Sequence, residues 1–402
     1  MRSRLLPWRR SLVAIIFAAS VASLALTPND PSWTGQLNAG INLLNLPAAW
    51  DVSQGRASVQ VAVLDEGVNS VQELAGRVDP GINFTGVGSP SDTSDEGGHG
   101  TMVGTIIAAT INNGVGIAGV APLVHIVPVK MCTNSLLNDC TPAGLSQGLE
   151  WVATSVINGS AIRVVNISLG FDSPDSNSQY WLSVLDSLGV IVVASSGNNG
   201  DASDPSVRFP ANDPLVVAVG GVLANGQRRD FSSYGPELDL AAPAQTYAVN
   251  NTGASEYFEG TSASAPFISG LAALFKSTQP QYYGTFGRSR ADTGPNRRTD
   301  FVNAARVNAD GTTRGWSQDV GYGVPNAWAT IYARACSRYD FNGDAEIDVS
   351  DDQAEAGHYG HVVGDPEYNV NYDLHPSLTP DGDVDIQDLQ RVFGWNGFTC
   401  PR

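Results

Sequence analysis

The sequence predicts an α/β fold with a parallel sheet covered on both faces, and three observations carry that expectation. Short apolar runs alternate with amphipathic stretches from about Thr27 to Ala335, the rhythm of strands joined by crossover helices. The runs are β-branched and nearly unbroken in apolar residues, as strands buried on two sides must be. Hydrophobic residues fill 42% of the 402 positions, enough for a sizeable core in a length with room for two domains.

Taken in order, Val59–Leu64, His125–Val129, Arg163–Ile167, Val190–Ala194 and Leu215–Val219 are the expected strands. Gly144–Ile157 and Gln179–Leu188 fit helices between them, and Ser262–Lys276 a small-residue helix packed tightly under the sheet. Tyr282–Arg314, rich in Gly and Arg, reads as a surface excursion. Gly321-Tyr322-Gly323 then returns the chain to order before a last helix at Asn326–Arg334.

At the N-terminus, Arg2, Arg4, Arg9 and Arg10 precede an apolar run from Ser11 to Leu26 with small residues at Ser23-Leu24-Ala25. This is the pattern of a secretory signal over 1–26. The rival reading is an uncleaved anchor, although a span takes roughly 20 residues; once the signal is removed, no membrane association is expected. Four cysteines suit an exported chain with two disulfides. Cys132 and Cys140 enclose a short loop and Cys336 and Cys400 bracket the C-terminal segment, so this pairing is the choice among three connectivities, and the rival zinc site lacks C-x-x-C spacing. A net charge of −18 argues against nucleic acid as a partner. From Cys336 to Arg402 there are 14 acidic residues against three arginines and no lysine, a net of −11. Acid that dense marks a solvated face or a cation site.

Three stretches carry chemistry. Val61-Ala-Val-Leu-Asp65 is an apolar strand ending on an acid, followed by Glu66-Gly67; a carboxylate at such a strand end sits where open α/β sheets build their sites. Gly97-Gly-His99-Gly-Thr101 sets an imidazole among small residues at the start of a helical run. Gly260-Thr-Ser262-Ala-Ser-Ala-Pro266 puts a serine at the mouth of a helix, where the helix N-terminus favours developing negative charge. Each alone has a plainer reading: a strand-end turn residue, a structural histidine, a helix cap. Together, Asp, His and Ser follow the chain order of the subtilisin triad.

On these motifs, the stretch from Thr27 to about Arg334 resembles a subtilase, most like the subtilisin and thermitase branch, with a parallel-sheet three-layer domain. Ser195-Ser-Gly-Asn198 resembles the segment that supplies the oxyanion-hole Asn, and Ser168-Leu169-Gly170 the edge strand that pairs with substrate. Thr27-Pro-Asn-Asp-Pro31 and Asn112–Gly119 also match. The resemblance implies a serine endopeptidase acting on proteins or peptides, with Asp65, His99 and Ser262 as triad and Asn198 at the oxyanion. It also implies calcium held by Asp30, Glu73 and Asn113 with carbonyls of Ile111, Val115 and Ile117. The small residues at Ser195-Ser196-Gly197 suggest a roomy apolar pocket and broad specificity.

Departures from the family are Glu66, where Ser or Thr is usual, Met102 for a second His, and Phe267-Ile268 for His-Val. The family's pro-segment is not apparent before Asn29-Asp30-Pro31, so unaided folding helped by calcium is expected.

Beyond residue 335, Asp340, Asn342, Asp344, Glu346, Asp348 and Asp351 follow the spacing of an EF-hand-type loop. Asp381, Asp383, Asp385 and Asp388 repeat its latter half, with Asp373 as a first ligand and an insertion between. The segment 336–402 resembles a dockerin, a small helical calcium-loop module, and this implies a cohesin-like partner. A monomer is expected. The alternative to an enzyme is an impaired subtilase fold used for binding or surface assembly through this module.

Overall fold

The computed structural model describes residues 26–133, 139–278, 297–308 and 312–331, with the backbone of 346–347 and 398–399. In chain order come α1 (Trp33–Ala39), α2 (Leu46–Val52), β1 (Gln60–Asp65), β2 (Ile82–Asn83), α3 (His99–Ala108), β3 (His125–Lys130), α4 (Pro142–Ile157), β4 (Ile162–Ile167), α5 (Ser176–Ser187), β5 (Ile191–Ser195) and β6 (Val216–Val222). There follow β7 (Leu240–Pro243), β8 (Gln245–Val249), β9 (Ser255–Glu259), α6 (Thr261–Ser277), α7 (Arg297–Ala305), β10 (Glu346–Ile347) and β11 (Phe398–Thr399). Strands β1 to β7 form one sheet in the order β2-β3-β1-β4-β5-β6-β7, and every neighbouring pair is parallel.

The strand period of two explains the layering. Val61 and Val63 of β1 join a core cluster with α3 and α6, while Ala62 and Leu64 join the opposite cluster with α4 and α5. β5 repeats this with Ile191 and Val193 on one face and Val192 and Ala194 on the other. Each such buried side chain contributes about 1.5–3 kcal/mol relative to exposure, so both faces resist polar substitution. α4 and α5 start at legible caps: Thr141 Oγ1 accepts from Gly144 N at 3.1 Å, and Asp175 from Ser178 N at 2.8 Å. All residues of α6 are buried; its Ala, Ser and Gly content lets it lie between sheet and α3.

All five expected strands and the helices between them appear, within a few residues at their ends. The sequence did not reveal β7, whose Leu-Ala-Ala-Pro has weak strand character, or the hairpin β8–β9, whose second strand is mostly exposed. One expectation needs correction. The Arg-rich excursion is not all surface: α7 buries Phe301 and Ala305, and the Phe301 ring lies 5.5 Å from that of Phe275. Arg298 anchors it by pairing both oxygens of Asp239 at 2.6 Å. At the start of β3, His125 Nδ1 meets Asp79 Oδ1 at 2.9 Å.

The Cys132–Cys140 disulfide is formed. Cys336 and Cys400 lie outside the described residues, as do Asp340, Asn342, Asp344, Asp348, Asp351, Asp373, Asp381, Asp383, Asp385, Asp388 and the signal region up to residue 25. Glu346 is described by its backbone alone, paired antiparallel to Thr399. Among the described residues no helix is long and apolar enough to cross a membrane.

Candidate active site

β1 and β4 are neighbours whose onward connections leave to opposite sides, β1 toward β2 and β3, β4 toward β5. The crevice beyond the carboxyl ends of such a pair is the usual site in an open α/β sheet. Asp65 ends β1, Ser168-Leu169-Gly170 continues from β4, and Ser195–Asn198 leads out of β5. Helices α3 and α6 bring their first residues here, carrying His99 and Ser262.

On the β1 side the chemistry is acidic. His99 Nδ1 lies 2.9 Å from Asp65 Oδ1 and 3.0 Å from Oδ2, in a pair shut away from water. A carboxylate only accepts, so Nδ1 carries the proton and Nε2 is left as a base. Burial pushes the imidazole down, but the carboxyls of Asp65, Glu66 and Asp95 outweigh it and raise its pKa. The opening of α3 is held by the same acids. Glu66 Oε1 accepts from His99 N at 2.6 Å, Asp95 Oδ1 from Gly98 N at 2.7 Å, and Asp95 Oδ2 from Thr101 N at 2.7 Å. These are N–H groups a helix start leaves unpaired, and its dipole favours negative charge.

Glu66 is turned inward and fully buried, with Oε2 lacking a partner. Burial first, then the neighbouring Asp95 and Asp65, push its carboxyl up to about 8. A carboxyl raised that far is largely protonated at neutral pH.

On the β5 side the groups around Ser262 are amides and hydroxyls. Asn198 Oδ1 accepts from Thr261 N at 2.9 Å and from Thr261 Oγ1 at 2.8 Å. This fixes which branch of the amide is the oxygen, so the NH2 end is the one left to donate elsewhere. Pro266 cannot donate to the Ser262 carbonyl four residues earlier, and that carbonyl accepts from Ser168 Oγ at 3.1 Å instead. Ser262 Oγ in turn donates to Ser168 O at 3.0 Å. A hydroxyl has one proton, so in this state Ser262 is not donating to His99. Asn166 and Ser269 continue the network behind, Asn166 Nδ2 to Ser168 Oγ at 3.0 Å and Ser269 Oγ to Asn166 Oδ1 at 2.8 Å. Phe258, four residues before Ser262, meets the His99 ring edge-on at 5.4 Å and ties the two sides together.

Leu169 and Ser168 are buried and Gly170 is exposed. Beside them lies a residue that the expectation of an apolar pocket did not include. Arg208 stands between Gly170 and Gly197, a placement no local motif announced because it comes from a different loop. Asp95 was also missed, although an Asp four residues before His99 is a recognisable capping signal.

Asp30, Glu73 and Asn113 are brought together. Asp30 accepts from Asn112 N at 3.0 Å and Asn113 N at 3.2 Å, and Glu73 from Asn113 Nδ2 at 2.7 Å and Ile117 N at 2.8 Å. Both carboxyls are buried, and neither enters an ion pair among the described residues. Burial pushes Glu73 up to about 7. Arg77 is the one cation acting on Glu73 among the described residues, and oxygen donors of this kind suit a hard divalent cation.

The chain is similar to known proteins over most of the described residues. The profile of the subtilase family matches residues 56–323. Subtilisin Savinase from Lederbergia lenta is 35% identical over 280 residues, covering 68% of this chain and 98% of its own length. Thermitase from Thermoactinomyces vulgaris is 32% identical over 253 residues, 62% of this chain and 86% of that one. Among solved structures, a protease from Pseudoalteromonas arctica superposes with a TM-score of 0.60 at 29% identity, over 77% of this chain and all of that one.

Proposed function

This chain belongs to the subtilase family and is a serine endopeptidase, and from that premise we propose that Ser262 is its nucleophile, worked by His99 and Asp65. Ser262 Oγ leaves the Ser168 carbonyl, donates to His99 Nε2 and attacks the scissile carbonyl; His99 then passes the proton to the leaving amine. Asp65 holds the imidazole in the right tautomer and stabilises its cation. The developing oxyanion is met by Asn198 Nδ2 and by the backbone N–H of Ser262 at the start of α6. Substrate adds as a strand along Ser168-Leu169-Gly170, drawing affinity from main-chain hydrogen bonds. The observation that carries the reading is the buried Asp65–His99 pair, joined through Phe258 to the helix start that holds Ser262.

The test is labelling by a fluorophosphonate probe. Wild type should label and hydrolyse casein, and Ser262→Ala should do neither; labelling that survives the substitution sinks the assignment.

The wider reading has residues 1–26 as a cleaved signal for secretion, 27–335 as the peptidase domain and 336–402 as a dockerin-like calcium module with a cohesin-type partner, in a monomer. Asp30, Glu73 and Asn113 would hold calcium, whose charge would offset the two buried acids. Chelation should then lower the melting temperature, and calcium restore it; a melting temperature indifferent to both removes the site. A binding protein without catalysis is disfavoured by the intact Asp65–His99 pair.

A further inference from the structure

The gap between the two substrate-facing segments has a charged floor. Arg208 N donates to Ser196 O at 2.9 Å, and the next residue, Phe209, exchanges both backbone bonds with Phe171 at 2.7 and 3.0 Å. The stretch around Arg208 is thereby laid between the continuation of β4 and the loop leaving β5. Its stem fills space the wall glycines leave open. A Cβ added to Gly170 would fall 2.9 Å from Arg208 Cβ, and one added to Gly197 would fall 2.8 Å from Arg208 Cγ. Gly197 also has φ +107°, which side chains rarely adopt.

The far end of Arg208 meets two acids. Nη1 lies 3.1 Å from Asp204 Oδ2 and 3.3 Å from Asp172 Oδ1, and Nη2 donates to the Asp204 carbonyl at 3.2 Å. The Arg208 side chain is only 14% exposed, whereas Asp204 and Asp172 are 62% and 90% exposed. Both carboxylates address one nitrogen, so neither forms the two-point fork in which guanidinium binds carboxylate best. Pairs with such open partners are weak and replaceable.

Resting on the reading of Ser262 as nucleophile, we propose that Arg208 makes the pocket for the residue before the cleaved bond selective for acidic side chains. A glutamate or aspartate there meets the guanidinium with a charge-assisted bond as Asp172 and Asp204 swing into water. A large apolar side chain meets the arginine stem where an open pocket would be needed, and strips water from a charge without repaying it. Preference for acid over apolar residues follows from the two effects together.

The experiment varies that residue in a peptide series and measures kcat/KM for wild type, Arg208→Ala, Arg208→Lys and Asp172→Asn, with fluorophosphonate labelling alongside. Wild type should favour Glu or Asp over Leu or Phe by about tenfold or more, the scale of one hydrogen bond to a charged group. Arg208→Ala should reverse the order, Arg208→Lys keep part of it, and Asp172→Asn sharpen it by removing a competing carboxylate. Wild type that labels and cleaves but favours Leu or Phe overturns the proposal, as does a profile that Arg208→Ala leaves unmoved. Wild type that neither labels nor cleaves any peptide overturns the nucleophile reading, and this one with it.

Discussion

The β1–α3 half of the site and the β5–α6 half are built from opposite materials. The first gathers three carboxyls, Asp65, Glu66 and Asp95, around one imidazole. The second is made of amides and hydroxyls: Asn198, Thr261, Ser262 and Ser168, backed by Asn166 and Ser269. The difference separates two tasks. Protons are managed where titratable groups can tune one another, and developing charge is met where donors are held fixed and indifferent to pH. Substitutions on the two halves should therefore differ in the shape of their pH profiles as well as in size.

The largest effect belongs to the residue shared between them. Ser262→Ala should lower kcat roughly 10⁶-fold, a magnitude that comes from a subtilisin, a relative of this chain. On the acidic side, Asp65→Asn should cost about 10⁴ in kcat, because the amide can donate to Nδ1 and force the wrong tautomer. Its loss should vary with pH. On the neutral side, Asn198→Ala should cost about 10²–10³, again a range known from a subtilisin, with the pH profile of kcat keeping its shape. A profile that shifts with Asn198→Ala would break the comparison.

The smallest effect on rate is expected at Glu66. The Glu66→Gln amide keeps the acceptor for His99 N, so kcat at neutral pH should change little. Stability should change in a definite direction. The folded Glu66 holds its proton up to about 8, while the unfolded one releases it near 4.5. Between those values the folded state binds more protons, so Glu66 makes stability fall as pH rises from about 4.5 to about 8, with no further loss above. Denaturant midpoints across this window should decline less steeply for Glu66→Gln. An unchanged decline would show that Glu66 is ionised in the folded state.

What the sequence made legible follows from where the signals are local. β1 and β5 announced themselves because both faces are buried and nearly every residue is apolar. Asp65, His99 and Ser262 were found because each stands at the end or start of an element with small neighbours. Three motifs in register weighed against their plainer readings. Glu66 was visible as a departure, yet its inward turn depends on Gly97, where an added Cβ would fall 2.6 Å from its carboxyl oxygens. Arg208 was invisible because its role arises from segments 38 and 11 residues away meeting in space. α7 was misread since its Arg-rich sequence looks solvated, although Phe301 is enough to dock it. Truncating Phe301 to Ala should cost about 3–5 kcal/mol of stability.

The two bonds between Ser168 and Ser262 have different working lives. One, from Ser262 Oγ to the Ser168 carbonyl, must open in every turnover of the proposed mechanism. The other, from Ser168 Oγ to the Ser262 carbonyl, exists because Pro266 vacates that carbonyl, and nothing in the reaction requires it to break. The pair thus acts as a hinge with one leaf fixed. In the proposed mechanism the strand that would receive the peptide stays fastened to the helix that carries Ser262, and the hydroxyl swings on a mount already aligned with its substrate.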